Sequence, residues 1–116
     1  MYDYKNEMHL SNPTIIEDLF KNNIDYELMN YYLKPFHTYP KLTEGLKISN
    51  PFRDEKQKTP SFNLFKHKSG KWKYKDFSTK DFGDVIDLVK KLFKMNFKEA
   101  KSKIIEDKTE FLRVLP

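Results

Sequence analysis

A lysine-rich segment carries the excess positive charge of this chain. Residues 66–80 contain six lysines and one acid, a net charge of +5. This equals the formal net charge of all 116 residues, so the rest of the chain is neutral overall. Clustered cations are typical of a surface that binds an anionic partner such as nucleic acid. A solvated lysine face without a partner is the competing interpretation, because all but two of the 22 basic residues are lysine.

Alternation within this segment predicts that its lysines share one side of a strand. Lys71, Lys73 and Lys75 alternate with Trp72 and Tyr74, and neighbouring side chains of a strand point to opposite faces. The lysines then form a row with members about 7 Å apart, close to the phosphate repeat of a single nucleic-acid strand. We expect the two aromatic residues to face the core, so that they stack on bases only if exposed.

The sequence contains no recognisable catalytic group. The absence of cysteine excludes disulfides and thiolate metal sites, and the three glycines form no phosphate-binding loop. Asp81, Asp84 and Asp87 recur at every third position and can chelate a cation, but helix capping and solubility explain them better. His37 has no partner at metal-ligand spacing, so a structural or exposed role is expected.

Helical patterns are predicted on the N-terminal side of the basic segment. Asn12 and Pro13 suit the cap and the first position of one helix, which a loose arm precedes. Asp25 is predicted to cap a second helix, and Pro35 blocks its continuation. Residues 1–40 are therefore interpreted as an N-terminal arm and a helical hairpin.

Short extended segments follow in residues 41–80. Gly45–Ile48, Ser61–Lys66 and Lys71–Lys75 each alternate apolar and polar residues, as half-buried strands do. The turn residues His67–Gly70 separate the last two, which predicts a β-hairpin. This region is predicted to form a ribbon-like antiparallel sheet of about three strands.

The remaining residues, 81–116, are predicted to form two helices. Asp84–Phe93 has a broad apolar stripe with acids at its start and lysines near its end. Asn96 and Glu99 have the spacing of a capping box for a further helix through Ile105. The predicted fold class is α+β, a single compact domain whose small sheet is flanked by N-terminal and C-terminal helices.

The sequence also predicts a cytoplasmic protein without a membrane partner. No run approaches the roughly 18 apolar residues of a membrane helix, and the first residues are too polar for a signal peptide.

Several motifs follow one another within residues 44–106. They are Asn50–Lys56 (NPFRDEK), Thr59–Phe62 (TPSF), an aromatic strand, Gly83–Asp87 (GDVID) and Phe97–Ala100 (FKEA). Their order resembles the CHC-type zinc-ribbon (zinc-finger) domain of bacterial and phage DNA primases. That family reads Cys-Pro-Phe-His, Glu-Lys-Thr-Pro-Ser-Phe, a Cys-x-x-Cys knuckle and Gly-Asp-Val. The resemblance implies a zinc-ribbon-like sheet.

The metal ligands of that family are absent from this chain, which makes it a degenerate form. The four former metal positions are occupied by Asn50, Arg53, Asp76 and Thr79. We therefore expect no zinc and no other cofactor. Structural zinc contributes about 10–16 kcal/mol of apparent binding energy in zinc-finger peptides, so other interactions must hold the ribbon. A charge-assisted pair of Arg53 with Asp76 is the predicted substitute, with packing by Phe52, Phe77 and Trp72 as the alternative.

The resemblance and the charge together predict a function in DNA replication. In that family the ribbon is non-catalytic and is implicated in reading the single-stranded template beside a polymerase domain. We expect this chain to bind single-stranded DNA in phage or mobile-element replication, with a primase polymerase domain or a replicative helicase as a further partner. The residues predicted to contact DNA are Lys56, Lys58, Ser61, Lys66, Lys71, Lys73 and Lys75, with Trp72 or Tyr74 stacking only if exposed.

Two other classes of function remain open from the sequence. The chain is alternatively a protein–protein interaction or adaptor module that kept the fold but lost metal and DNA binding. A small enzyme is the weakest alternative because no site is visible. Salt-dependent binding of single-stranded DNA distinguishes the first two classes.

Overall fold

The computed structural model describes residues 18–114, with side chains described for residues 18–110. Over this range the fold is α+β, with three helices and one antiparallel sheet of three strands. The elements are α1 (Ile24–Leu33), β1 (Phe62–Lys66), β2 (Trp72–Asp76), β3 (Phe82–Gly83), α2 (Val85–Phe93) and α3 (Phe97–Val114). The helix predicted from Asn12 and Pro13 lies outside the described residues.

The sheet has the strand order β1-β2-β3, and both pairings are antiparallel. The predicted hairpin is confirmed: β1 and β2 pair from Phe62 opposite Asp76 to Lys66 opposite Trp72. The turn between them includes Gly70 at φ +92°, a conformation that glycine adopts without a Cβ penalty.

The predicted strand at Gly45–Ile48 is wrong. Ile48 forms an isolated bridge with Phe62, and the amide of Gly45 donates to the carbonyl of Leu64 at 2.9 Å, but no continuous ladder forms. Gly45 has a φ of +81°, which interrupts an extended backbone. The third strand is instead Phe82–Gly83, which pairs with β2.

The core lies between the inner face of the sheet and the helices. Phe62 of β1 and Tyr74 of β2 stack with their ring centroids 5.3 Å apart, and Phe52 meets both rings edge-on. Trp72 is also buried, so the prediction that Trp72 and Tyr74 face the core is confirmed. Each large apolar side chain buried in this way contributes about 1.5–3 kcal/mol.

Asp25 does not cap α1, contrary to the sequence prediction. The helix begins two residues earlier than predicted, with Asn23 at the cap position, and Asp25 is a fully buried residue of the first turn. Its carboxylate accepts hydrogen bonds from the backbone amides of Trp72, at 2.8 Å, and Tyr26, at 2.9 Å. Asp25 therefore fastens α1 to the first residue of β2. The α-helix ends at Leu33, and Pro35 lies in the 3-10 turn that follows.

Capping boxes define the starts of the other two helices. Asp84 Oδ1 accepts from the amide of Asp87 at 3.2 Å, and Asp87 Oδ2 accepts from the amide of Asp84 at 3.1 Å. The predicted capping box of Asn96 and Glu99 is confirmed by the reciprocal bonds of 2.8 and 3.0 Å. The helix that follows continues beyond Ile105 to the end of α3.

No helix in the described part of the chain has both the length and the apolar composition that crossing a membrane requires.

Candidate nucleic-acid interface

The three lysines of the predicted row lie on the face of the sheet that is turned away from the core. Trp72, Tyr74 and Asp76 are buried, and the lysines between them are partly exposed. The register places two aromatic residues beside this row: Phe65 of β1 is opposite Lys73, and Phe82 of β3 is opposite Lys75. We call the following residues the outer sheet face: Phe65, Lys71, Lys73, Lys75, Phe77 and Phe82.

Each lysine of this row lies over an aromatic ring. Lys71 Nζ is 4.4 Å from the ring centroid of Phe20, and Lys73 Nζ is 5.4 Å from that of Phe82. Lys75 Nζ is 5.3 Å from the centroid of Phe77. Exposed cation–π contacts of this kind contribute about 0.5–1 kcal/mol each, weak enough for a lysine to leave the ring for a phosphate.

Two of these rings are exposed to a degree that is unusual for phenylalanine. Phe77 has 47% and Phe82 has 58% of its surface accessible. Cations beside exposed rings are the combination that binds single-stranded nucleic acid, in which rings stack on bases and cations contact phosphates.

The other residues predicted to contact DNA do not all join this face. Lys66 is opposite Trp72 in the register, so strand alternation places it on the other side of the sheet. Lys56 and Lys58 are exposed in the loop before β1. Trp72 and Tyr74 are buried, so the condition for their stacking on bases is not met.

The structure also does not support the prediction that Ser61 contacts DNA, because Ser61 belongs to a buried polar cluster and not to an exposed surface. Its hydroxyl donates to Asp76 Oδ1 at 2.8 Å, and both residues are buried. Asp76 Oδ1 also accepts from the amide of Ser78 at 2.7 Å, the hydroxyl of Ser78 at 2.6 Å and the amide of Thr79 at 3.2 Å. Asp76 Oδ2 accepts from Asn50 Nδ2. Asp76 is thus a buried acceptor surrounded by neutral donors.

Asn50 connects this cluster to the loop before β1. The backbone amide of Asn50 donates to Gln57 Oε1 at 2.7 Å, and the side-chain oxygen of Asn50 accepts from the backbone amide of Phe52 at 2.7 Å. Gln57 Nε2 in turn donates to Ser61 Oγ at 2.9 Å. We call Asn50, Gln57, Ser61, Asp76 and Ser78 the Asp76 cluster. It holds the loop against the hairpin at the position where the family resemblance places a metal.

The predicted pair of Arg53 with Asp76 is wrong. Arg53 is exposed, and the ion pairs within 4.0 Å in the described residues do not include it. A buried carboxylate that is already satisfied by neutral donors avoids the cost of desolvating a guanidinium. Of the three aromatic residues in the alternative prediction, Phe52 packs against the core and Trp72 is buried, but Phe77 is exposed.

The residues at the four positions that the sequence resemblance aligns with zinc ligands do not fit zinc. Zinc sites in proteins use thiolate, imidazole and carboxylate ligands in tetrahedral sets, whereas these positions provide an amide, a guanidinium, a hydroxyl and a single carboxylate. The carboxylate of Asp76 is already occupied by its hydrogen bonds. Within the described residues, no three or more acidic or histidine side chains are arranged so that they could hold a metal ion. Asp81, Asp84 and Asp87 therefore do not form such a group.

The hydrogen bonds of Asp76 predict a specific dependence of stability on pH. Burial raises the pKa of Asp76, but hydrogen bonds from Ser78, Ser61 and Asn50 outweigh burial and bring the pKa from 3.8 to about 2. The charged form is therefore favoured by folding, and its contribution of about 2 kcal/mol is present above pH 4 and is lost as the pH falls towards 2. We expect the wild type to lose this amount relative to Asp76→Asn when urea unfolding is measured from about pH 5 down to 2.

The comparison with Asp76→Asn is needed because other buried acids act in the opposite direction. Burial raises the pKa of Asp25 and of Asp84 above 3.8, so their contribution to stability falls as the pH rises above that value, in the upper part of the measured range. A constant difference between the wild type and Asp76→Asn over that range would contradict the lowered pKa of Asp76.

The aromatic residues of the outer sheet face were not identified from the sequence. Phe65 carries a usable signal, because it alternates out of phase with inward-facing Phe62 and Leu64. Phe77 follows Lys75 by two residues and so continues the alternation of the lysine row. Phe82 has no such signal, because its position beside the row depends on the pairing of β3 with β2.

Comparison with known proteins gives no family assignment. No family model matches this chain, and no curated protein and no solved structure matches it either. The interpretation of the outer sheet face therefore rests on its own geometry and charge.

Proposed function

We propose that this protein is a non-catalytic, zinc-independent ribbon domain that binds single-stranded DNA on the outer sheet face. The observation that supports the proposal most strongly is the row of Lys71, Lys73 and Lys75 beside the exposed rings of Phe77 and Phe82. The core does not use these side chains, so their arrangement is available to a partner.

The proposed binding mode divides affinity between phosphates and bases. The lysines exchange their ring contacts for phosphates and release counterions, which makes binding sensitive to salt. Phe77 and Phe82 each stack on a base, for about 1–3 kcal/mol per base. Stacking on phenyl rings tolerates all four bases, so this surface alone is expected to bind with little sequence preference.

The biological setting of the proposal follows from the sequence resemblance. A primase-like ribbon acts in DNA replication, here of a phage or mobile element, in the cytoplasm. A primase polymerase domain or a replicative helicase is the proposed protein partner, and the ribbon delivers the template strand to it.

Removing the lysine row tests the proposed function. We expect the triple variant Lys71→Ala, Lys73→Ala, Lys75→Ala to bind a fluorescent single-stranded oligonucleotide about tenfold to a hundredfold more weakly at about 50 mM salt. The slope of log affinity against log salt concentration should become less steep by about 2, because three phosphate contacts are lost from a single strand. Fluorescence anisotropy at several salt concentrations measures both quantities.

A matched control removes the same charge from α3. Lys98, Lys101 and Lys108 lie on this helix, and their replacement by alanine should leave the affinity within about twofold if local contacts and not total charge determine binding. Equal weakening by the two triple variants would contradict a specific face. No binding by the wild type at about 50 mM salt would contradict DNA binding and favour the adaptor function, and stoichiometric zinc in the purified protein would contradict the zinc-independent ribbon.

A further inference from the structure

A cleft lies between the segment that follows α1 and the loop that precedes β1. Its volume is about 520 Å³, within the roughly 300–1,000 Å³ typical of pockets for small ligands. Residues 35–39 form one wall, and residues from 47 to 60 form the other. The Asp76 cluster holds this second wall in place through Asn50.

The lining of the cleft combines flat aromatic rings with cations. Phe36 and Tyr39 line it and are both exposed. The charged lining residues are three cations and two acids: Lys47, Arg53, Lys56, Asp54 and Glu55. Unpaired bases are bound in proteins by stacking on aromatic rings and by contacts of cations with the adjacent phosphates. The cleft therefore has the chemistry for a nucleotide.

The cleft is continuous with the outer sheet face. The ring of Phe77 lies near two lysines, with Lys75 Nζ at 5.3 Å and Lys47 Nζ at 5.0 Å from its centroid. Lys75 is the last member of the lysine row, and Lys47 lines the cleft. A strand that follows the row past Phe77 reaches the mouth of the cleft.

His37 adds a hydrogen-bond donor to this wall. Its Nδ1 accepts from the amide of Tyr39 at 3.0 Å, so the proton of the neutral ring is on Nε2. Burial lowers the pKa of His37, which favours that neutral form. Nε2 is covered and has no hydrogen-bond partner among the described residues. A covered donor without an acceptor is unfavourable. When the ring or residues 35–39 shift enough to uncover Nε2, an acceptor on the edge of a base would satisfy it.

We propose that the cleft holds one unstacked base of the single strand that lies on the outer sheet face. The base packs against Phe36 and Tyr39 and accepts a hydrogen bond from His37 Nε2, while Arg53 and Lys56 contact the flanking phosphates. This proposal rests on the proposed function. It adds a base-recognition site to a surface that otherwise contacts only phosphates and stacks on bases without distinguishing them.

Photo-crosslinking locates the base directly. The probe is a single-stranded oligonucleotide that contains 5-iododeoxyuridine, which crosslinks to an aromatic side chain stacked on it. We expect crosslinked peptides at Phe36 or Tyr39 in addition to those at Phe77 or Phe82. Crosslinks at the outer sheet face alone would overturn the cleft proposal and leave the proposed function intact, whereas no binding of the oligonucleotide would overturn both.

Substitutions in the cleft provide an independent test. Tyr39→Ala should weaken binding of the oligonucleotide about 5-fold to 100-fold, because one stacked base is lost. Tyr31→Ala is the matched control, because Tyr31 on α1 is 55% exposed against 46% for Tyr39 and does not line the cleft. His37→Phe keeps a ring but removes the donor, and we expect a loss of about threefold to tenfold. Unchanged affinity in Tyr39→Ala and His37→Phe, with both variants folded, would overturn the proposal.

Discussion

Replacement of Asp76 by alanine is expected to lower the free energy of unfolding by about 3–5 kcal/mol. The carboxylate is fully buried and is the shared acceptor for Asn50 Nδ2, Ser61 Oγ and the amide and hydroxyl of Ser78. Alanine removes the acceptor and leaves these donors buried or partly buried without a partner, at about 1–3 kcal/mol for each one that water does not reach. Urea unfolding at neutral pH, followed by circular dichroism, measures the change.

Two control variants separate this cluster from the ion pair suggested by the sequence. Arg53→Ala should change the free energy of unfolding by less than about 0.5 kcal/mol, because Arg53 is exposed and does not pair with Asp76. Asp76→Asn keeps the size of the side chain and one acceptor, so its cost should be smaller than that of alanine at neutral pH. Equal losses in Arg53→Ala and Asp76→Ala would restore the ion pair and contradict the neutral donor set.

The elements predicted correctly from the sequence are those whose signals are local. The hairpin of β1 and β2 has two alternating segments and a turn within residues 61–76, and the capping box of Asn96 has its partner, Glu99, three residues away. A local sequence pattern contains all the residues that decide such an element. The lysine row follows from the same alternation, which is why its common face was predictable.

The contacts that the sequence does not reveal are those between distant segments. Asp76 lies 26 residues from Asn50 and 23 from Arg53 along the chain, and nothing in their spacing ranks an amide above a guanidinium as its partner. The buried position favours the amide, because desolvating a second charged group costs several kcal/mol and desolvating a neutral amide costs less. Asp25 is a similar case: it accepts from the backbone amide of Trp72, which lies 47 residues away along the chain.

The candidate site follows the same division. The cations and Phe77 were predictable in position because strand alternation orders them, but Phe82 joins them only through the pairing of the two-residue strand β3. The cleft is formed by two irregular segments without a hydrophobic period, so no pattern identifies it. Residues 35–39 meet residues 47–60 there because the Asp76 cluster and Ile48 hold the second segment against the hairpin.

Replacement of Gly83 by alanine is expected to destabilise the protein by about 2–4 kcal/mol. Gly83 pairs with Tyr74 in the sheet and lies directly before the capping box of α2. A Cβ atom on Gly83 would lie 2.5 Å from Asp87 Cβ and 2.6 Å from Asp87 Oδ2. Both distances are too short for nonbonded atoms, so the start of α2 must move away from β3 and the hydrogen bond from the amide of Asp84 to Asp87 must lengthen or break.

Gly70→Ala is the matched control for Gly83→Ala. A Cβ atom on Gly70 meets nothing within 4 Å, so its cost comes only from the backbone at φ +92° and should be about 1–2 kcal/mol. Thermal or urea unfolding of the two variants compares a steric conflict between β3 and α2 with backbone strain in the turn before β2. A loss in Gly83→Ala no larger than that in Gly70→Ala would mean that α2 moves away without cost. The close contact of α2 with the sheet would then not be what holds β3, and with it Phe82, beside the lysine row.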